Sequence, residues 1–465
     1  MLCLERYQVE GPPEHFSYAR RFVFAGNSGA MFPANAHHRI RYAVLNSAKQ
    51  RLNMDIHEYQ AKEILNEFGI RIPRGGLAYS PEQAAYRARE IGGTEWIVKA
   101  QVHTGGRSRA SGILRCRSEH EVYDAAESLF GKRIITRQSG PTGKVVYRVY
   151  VEGSISISKE LYLGFALDRK VERVMVVASE HGGIEIEEIA ASKPASIIRT
   201  VVEPAVGMQA FQARQIAFKL GVPASQVNEA MTTILGCYKA FEQLDATMVE
   251  VNPLVIAEDA SLYAVDAKMT FDDNALFRRP EIAELRDKSQ EDRLESRASD
   301  RGLKYVGLDG DIACVVNGGG LAMATVDSIK LAGGEAASFI DIGGGATPER
   351  MSKALRQAAQ DDRINAVLIN IFAGINRCDW IAQGIVQALE KEALQIPLVI
   401  RLAGTRVDEG RKLLVKSGLP IVRANTMEEA AHRVVTAADT HLKRKEMKRK
   451  ERNTDPVSKK ATVVL

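Results

Sequence analysis

Between residues 302 and 440 the chain repeats one unit five times: an apolar strand, a short loop, a helix. Strands expected at 312–316, 337–342, 366–372 and 397–402 run into Asn317-Gly-Gly-Gly320, Gly343-Gly-Gly-Ala-Thr347, Ala373-Gly-Ile-Asn376 and Ala403-Gly-Thr405. A last strand at 419–423 precedes a helix at 427–438. Successive strands joined through helices pair in parallel with right-handed crossovers, so this half folds as a doubly wound α/β sheet. Ligands of such sheets bind at the carboxyl edge of the strands. The glycine loops there expose backbone N–H groups at helix starts, which suits anions.

Upstream the pattern differs. Regular signals begin at Met54, where Asp55 and Glu58 form a capping-box pattern for a helix with Ala61, Ile64, Leu65 and Phe68 on one face and Gly69 as its stop. A helix near 81–92, a strand at 96–102 and the basic glycine-rich loop Thr104-Gly-Gly-Arg-Ser-Arg-Ala-Ser-Gly112 follow. Further strands are expected at 145–152, 161–167, 173–178, 248–256 and 262–268, with helices near 208–220 and 224–244. Strands and helices that do not alternate simply indicate an α+β domain. The expected organisation is an extension over 1–53, a first domain over 54–290, a charged linker over 291–301, a second domain over 302–440 and a basic tail over 441–465.

Composition narrows the function class. With 45% hydrophobic and 26% charged residues the chain is globular rather than disordered. No apolar run approaches the roughly 18 residues of a membrane helix. The formal charge of +5 splits into +4 over 1–53 and +6 over 443–465, leaving −5 between them. An acidic body with basic ends is not the footprint of a nucleic-acid-binding domain, and the tail reads as a solvated extension. Five scattered cysteines without CxxC spacing (Cys3, Cys116, Cys237, Cys314 and Cys378) argue against disulfides and structural zinc, and for a reducing compartment, the cytoplasm. Residues 1–53 lack the apolar core of a signal peptide; they read as a weak transit-like segment or as sequence ahead of a true start at Met54.

Neither GxGxxG with a ribose-binding acid nor GxxxxGK[ST] occurs, which excludes the Rossmann fingerprint and the P-loop. In the first domain, Glu250 and Asn252 stand two apart on a strand and face the same way, and Asp266 reaches them if the next strand returns as a hairpin. A carboxylate and an amide oxygen suit Mg²⁺. Lys99, just ahead of the basic loop, offers a point charge for phosphate. Spacing alone leaves polar sheet-edge residues as an equal reading of all of these. No histidine has an acid at a spacing that implies a catalytic pair; His103 reads as a polar loop residue and Cys378 as structural.

Longer motifs carry a resemblance. Met54-Asp-Ile-His-Glu-Tyr-Gln-Ala-Lys-Glu63, the Lys99–Gly112 segment, Glu250-Val-Asn-Pro-Leu254, Asp272-Asp-Asn-Ala-Leu-Phe277, Gly343-Gly-Gly-Ala-Thr347 and Ile371-Phe-Ala-Gly-Ile-Asn-Arg-Cys-Asp379 resemble the β subunits of succinate–CoA ligase and malate–CoA ligase over residues 54–440. The resemblance implies an ATP-grasp domain followed by a flavodoxin-like CoA-ligase domain, and an α subunit that carries the phosphohistidine and most of the CoA site. It implies ATP contacts from Lys99, Gly106, Arg107, Ser108, Glu152 and Glu160, and Mg²⁺ ligands in Asn252 and Asp266. By the same resemblance Glu250 is catalytic, holding the partner's histidine, and Asn317, Gly374, Ile375 and Asn376 hold a dicarboxylate.

Some positions depart from the family pattern. Ser108, Arg109 and Ser111 stand where the nucleotide loop usually has Gly, Lys and Gly. Ala373, Asn376, Trp380 and Ala403 resemble malate–CoA ligase rather than succinate–CoA ligase. Malate adds a hydroxyl, for which Asn376 offers a donor and an acceptor. The expected function is therefore an ADP-forming malate–CoA ligase β subunit. The alternatives are a succinate–CoA ligase β subunit and, from another class, a non-catalytic nucleotide-binding subunit.

Overall fold

In the computed structural model, residues 53–391 and 394–454 are described, with the side chains of 448–454 left aside. Expectations for 1–52, Cys3 included, and for 455–465 lie outside these residues.

The first domain is built on two large antiparallel sheets and a two-stranded ribbon, Arg133–Ile134 with Lys144–Val145. The larger runs Asn53–Asp55, Ala267–Asp272, Ala246–Ala257, Ile157–Asp168, Arg173–Ser179, Ile197–Val202, with Leu262–Ala264 also paired to Ala246–Ala257. The smaller runs Gly75–Ala78, Val149–Gly153, Trp96–Ala100, Ile113–Cys116. Helix Glu58–Glu67 sends Ala61, Ile64 and Leu65 into the core of the larger sheet. Asp55 is not its cap. Met54 and Ile56 are buried in that core, which draws Asp55 into strand pairing opposite Thr270; His57 becomes the N-cap, and its N–H donates to Gln60 Oε1 at 2.9 Å.

The strand expected at 262–268 is broken between Ala264 and Ala267, which lifts Asp266 out of the ladder. Its carbonyl nonetheless accepts from Asn252 N at 3.0 Å, at a register shift between Val251 and Leu254. The hairpin thus brings the two residues together.

In the second domain the parallel strands lie in the order Ala336–Asp341, Ile312–Val316, Ala366–Ala373, Leu398–Gly404, Ile421–Ala424. Numbered along the chain this is 2-1-3-4-5, the flavodoxin-like order, with its switch point between Ile312–Val316 and Ala366–Ala373. A sixth strand, Lys304–Gly307, adds antiparallel to Ala336–Asp341; the sequence reading had no strand there. Residues 291–301, expected as linker, hold helix Arg293–Asp300. Asp292 caps it through Leu294 N and Glu295 N, and Ala298 is fully buried in the second core. Helix Met427–Thr454 continues through the expected tail, where Lys445 Nζ donates to Ile364 O at 3.3 Å and Asn365 Oδ1 at 3.2 Å. Lys445 thus ties this stretch to the domain, while the side chains of residues 442–447 are exposed.

Cys116, Cys237, Cys314 and Cys378 are buried free thiols. Among the described residues no helix is long and apolar enough to cross a membrane.

Candidate functional site

Six charged side chains from five segments close on one another beneath the glycine-rich loop. Lys99 Nζ lies 3.0 Å from Glu58 Oε1, pairs with Glu152 and donates to Val265 O at 2.8 Å. Lys62, fully buried one turn after Glu58, also pairs with Glu152, and its ammonium stands 4.9 Å from the centre of the Tyr150 ring. Arg107 reaches Glu58 Oε2 at 2.7 Å and Ala100 O at 2.9 Å through Nη1, and both Asp266 carboxylate oxygens at 2.9 Å through Nη2. Burial disfavours the Lys99 ammonium, yet Glu152, Glu58 and Asp266 outweigh it and hold its pKa above the ordinary lysine value. Burial likewise opposes the Glu58 carboxylate, and Arg107, Lys99 and Lys62 hold it well below the usual range. Removing one partner from such a buried network typically costs about 3–5 kcal/mol.

The loop itself is folded around Arg107. Ala110 N and Gly112 N donate to Arg107 O at 3.1 and 2.8 Å, which turns the side chain inward and leaves Ser108 exposed. Gly106 has φ +70° and Ser111 φ +53°. Ser111 therefore occupies a left-handed conformation that favours glycine, the residue the family pattern places there.

Asn252 connects this cluster to a neighbouring crevice. Its Oδ1 accepts from Gly183 N at 2.8 Å and its Nδ2 donates to Ile184 O at 2.9 Å. Gly183 packs so closely on Glu160 that a Cβ there would come within 2.4 Å of Glu160 Oε2. Beyond it lies a cavity of about 460 Å³ bounded by Ile157, Lys159, Glu160, His181, Ile184 and Ile189, large enough for a nucleoside. Glu250 sits opposite Lys268 and Gly164 in the ladder and shares a hydrogen bond with the Tyr162 hydroxyl. Burial raises its pKa despite Lys268. Lys99, Gly106, Arg107, Ser108, Glu152, Glu160, Glu250, Asn252 and Asp266 thus fall in one continuous region. Among the described residues no group of three or more His, Cys, Asp or Glu is placed to hold a metal ion by itself.

At the second domain's switch point, Asn317 bridges the two central strands: Nδ2 donates to Phe372 O at 2.8 Å and Oδ1 accepts from Phe372 N at 2.9 Å. Asp341 Oδ1 accepts from Gly318 N and Gly343 N at 2.7 and 2.8 Å, which fixes two of the glycine loops. Ile375 and Phe372 are exposed, at 86% and 59%. Asn376 behaves differently from expectation. It is buried, its Oδ1 accepts from Ala346 N and its Nδ2 donates to Gly343 O, so the amide expected to read a substrate hydroxyl is already committed to the backbone. Those two backbone groups would otherwise be left without partners.

Sequence reasoning missed Glu58 and Lys62. They lie within a motif that carried the resemblance, and their four-residue spacing puts both on one helix face, but nothing local shows what that face meets. It also missed the pairing of His57 Nε2 with Asp287 Oδ2 at 2.7 Å across 230 residues of chain. His103, expected as a polar loop residue, packs 4.4 Å from the His57 ring, and burial pulls its pKa down to about 3.

Residues 55–256 match the family model of the ATP-grasp domain and residues 315–435 that of CoA-ligase. The chain is 57% identical over 392 residues to the probable malate–CoA ligase subunit β of Mesorhizobium japonicum, covering 84% of this chain and 100% of the relative. It is 46% identical over 385 residues to the ADP-forming succinate–CoA ligase subunit β of Paraburkholderia phytofirmans, covering 83% and 99%. Among solved structures, ATP citrate lyase from Methanothrix soehngenii matches with a TM-score of 0.64 at 18% identity, covering 83% of this chain and 99% of that one, a likeness of fold. An ATP-grasp domain joined to a flavodoxin-ordered CoA-ligase domain, with identity of this extent across both, places the chain in the family of malate– and succinate–CoA ligase β subunits.

Proposed function

We propose that this chain is the β subunit of an ADP-forming malate–CoA ligase and works with an α subunit that carries the phosphorylated histidine and most of the CoA site. The observation that carries this reading is the convergence of Lys99, Arg107, Glu152, Asp266 and Asn252 beside a nucleoside-sized cavity. Lys99 and Arg107 offset phosphate charge, and Glu160 and the cavity walls take the nucleoside. Glu250, kept from ionising easily by burial, accepts a hydrogen bond from the partner's histidine when that segment visits the nucleotide. The phosphoryl group passes from ATP to the histidine and then to a substrate carboxylate; the CoA thiolate attacks the acyl phosphate and inorganic phosphate leaves.

The donor set fits Mg²⁺. Asn252 and Asp266 supply two hard oxygens on adjoining backbones, and a cation that shares phosphate oxygens needs few protein ligands. When bound, Mg²⁺ would draw charge from the phosphates.

Malate is favoured over succinate by the Mesorhizobium relative and by Ala403, which stands beside Phe372 in the ladder at the mouth of the switch point. The test is kcat/KM of the reconstituted αβ complex with ATP, CoA and either L-malate or succinate. Higher values with malate are expected; higher values with succinate would make this an ordinary succinate–CoA ligase subunit. Activity with neither would leave a nucleotide-binding subunit. A cytoplasmic location goes with the same reading.

A further inference from the structure

Arg107 and Asp266 are both assigned to the nucleotide, one to its phosphates and the other to its metal, yet here they bind each other. Arg107 Nη2 lies 2.9 Å from each Asp266 oxygen, one nitrogen shared between both oxygens of the carboxylate. The second arm of the guanidinium is held elsewhere, by Glu58 and Ala100 O. Neither of those groups is among the residues assigned to the nucleotide or its metal. Lys99 cannot replace Arg107 on Asp266, because its ammonium is taken by Glu58, Glu152 and Val265 O.

We propose that Arg107 is a latch on the metal-binding carboxylate: it neutralises Asp266 while the nucleotide is absent and exchanges Asp266 for phosphate when the nucleotide arrives. This rests on the nucleotide-site reading above. Glu58 is the pivot, keeping Nη1 while Nη2 changes partner. A phosphate oxygen accepts from Nη2 as a carboxylate oxygen does, so the exchange keeps a charge-assisted bond. Asp266, once freed, faces a divalent cation in place of a guanidinium. Two couplings follow. Divalent cation alone meets a ligand already neutralised, and metal-free nucleotide meets an arginine already occupied. Each ligand thus raises the affinity of the other by the same factor.

The test is a double-mutant cycle on the αβ complex, reading the affinity for ADP in chelator by calorimetry. Asp266→Asn keeps the shape and releases Arg107, and metal-free ADP is expected to bind about 10-fold more tightly, a usual size for coupled sites. In the Arg107→Met background the same change should gain less than about 2-fold. A gain of equal size in both backgrounds would show plain repulsion between Asp266 and phosphate and would overturn the latch, as would no gain at all. If Arg107→Met fails to fold by its melting curve, Arg107→Lys takes its place; a single ammonium lacks the two arms that hold Glu58 and Asp266 apart, and the gain should again shrink. Mn²⁺ binding followed by electron paramagnetic resonance gives a second readout: tight only with ADP in wild type, but measurable without ADP in the Arg107 variant. Wild type that binds no Mg–ADP would sink the nucleotide reading and the latch together, whereas binding with an additive cycle sinks the latch alone.

Discussion

The side-chain oxygen of Asn376 accepts the backbone N–H of Ala346 at 2.7 Å, and through it one substrate loop is stapled to the next. Together with the bond from Nδ2 to Gly343 O, this makes Asn376 a buried brace. Asn376→Val strands one donor and one acceptor, which costs about 1–3 kcal/mol for each group. The expected result is a fall in kcat/KM with malate and succinate alike, their ratio changing by less than about 3-fold. Steady-state kinetics with both acids decides the matter, since a loss confined to malate would put the amide back against the hydroxyl.

Ser111 offers a stabilising change. Its φ of +53° costs a side-chain-bearing residue about 1–2 kcal/mol, and glycine gives back part of that through the greater entropy of the unfolded chain. Ser111→Gly should raise stability by about 0.5 kcal/mol in urea melts and leave ADP affinity intact, and Ser111→Val should lower it by more than that.

Acid should loosen the first domain from one identifiable place. Burial pulls the pKa of both His57 and His103 down in the fold, that of His103 to about 3 and that of His57 against the opposing pull of Asp287, whereas both take up protons near pH 6.5 once unfolded. Stability is therefore intact above about pH 6.5 and declines as pH falls, by up to about 1.4 kcal/mol per unit from His103, with His57 adding in the same direction. Urea midpoints taken between about pH 7.5 and 5.5 should drop, and His103→Gln should flatten the slope.

Much of this was readable from the residues. The alternation after residue 302 gave strands near their observed places because each is a continuous apolar run ended by glycine. The backbones of Asn252 and Asp266 bond to each other, as a hairpin between their strands allows. What escaped were contacts made by distant segments. Strand Lys304–Gly307 pairs antiparallel at an edge and has no helix of its own to announce it. Helix Arg293–Asp300 buries little beyond Ala298, so its charged surface hid its period. Asn376 was expected as a ligand from the resemblance and from the donor and acceptor its amide offers, and only the neighbouring loop shows where that amide goes.

The glycine loops yield a separable prediction. A Cβ on Gly319, Gly320, Gly344 or Gly374 would meet no atom of this chain within 4 Å, and none of the four has a positive φ. Gly320→Ala, inside helix Gly319–Leu331, should therefore stabilise the isolated subunit by about 0.5–1 kcal/mol. If the loops seat the α subunit and substrate, the same variant should lower the activity of the reconstituted complex. Melting temperature and kcat/KM measured side by side separate the two effects.

The charge cluster under the nucleotide loop has a kinetic consequence. Lys62, Lys99 and Arg107 stand against Glu58, Glu152 and Asp266, three cations and three carboxylates folded into one neutral knot. Such a knot casts almost no field into the solvent. A polyanionic nucleotide approaching it is not drawn in from a distance, as it would be by an open basic cleft, and its encounter rate should change little with ionic strength. Grip develops only after contact, when the knot is undone from within.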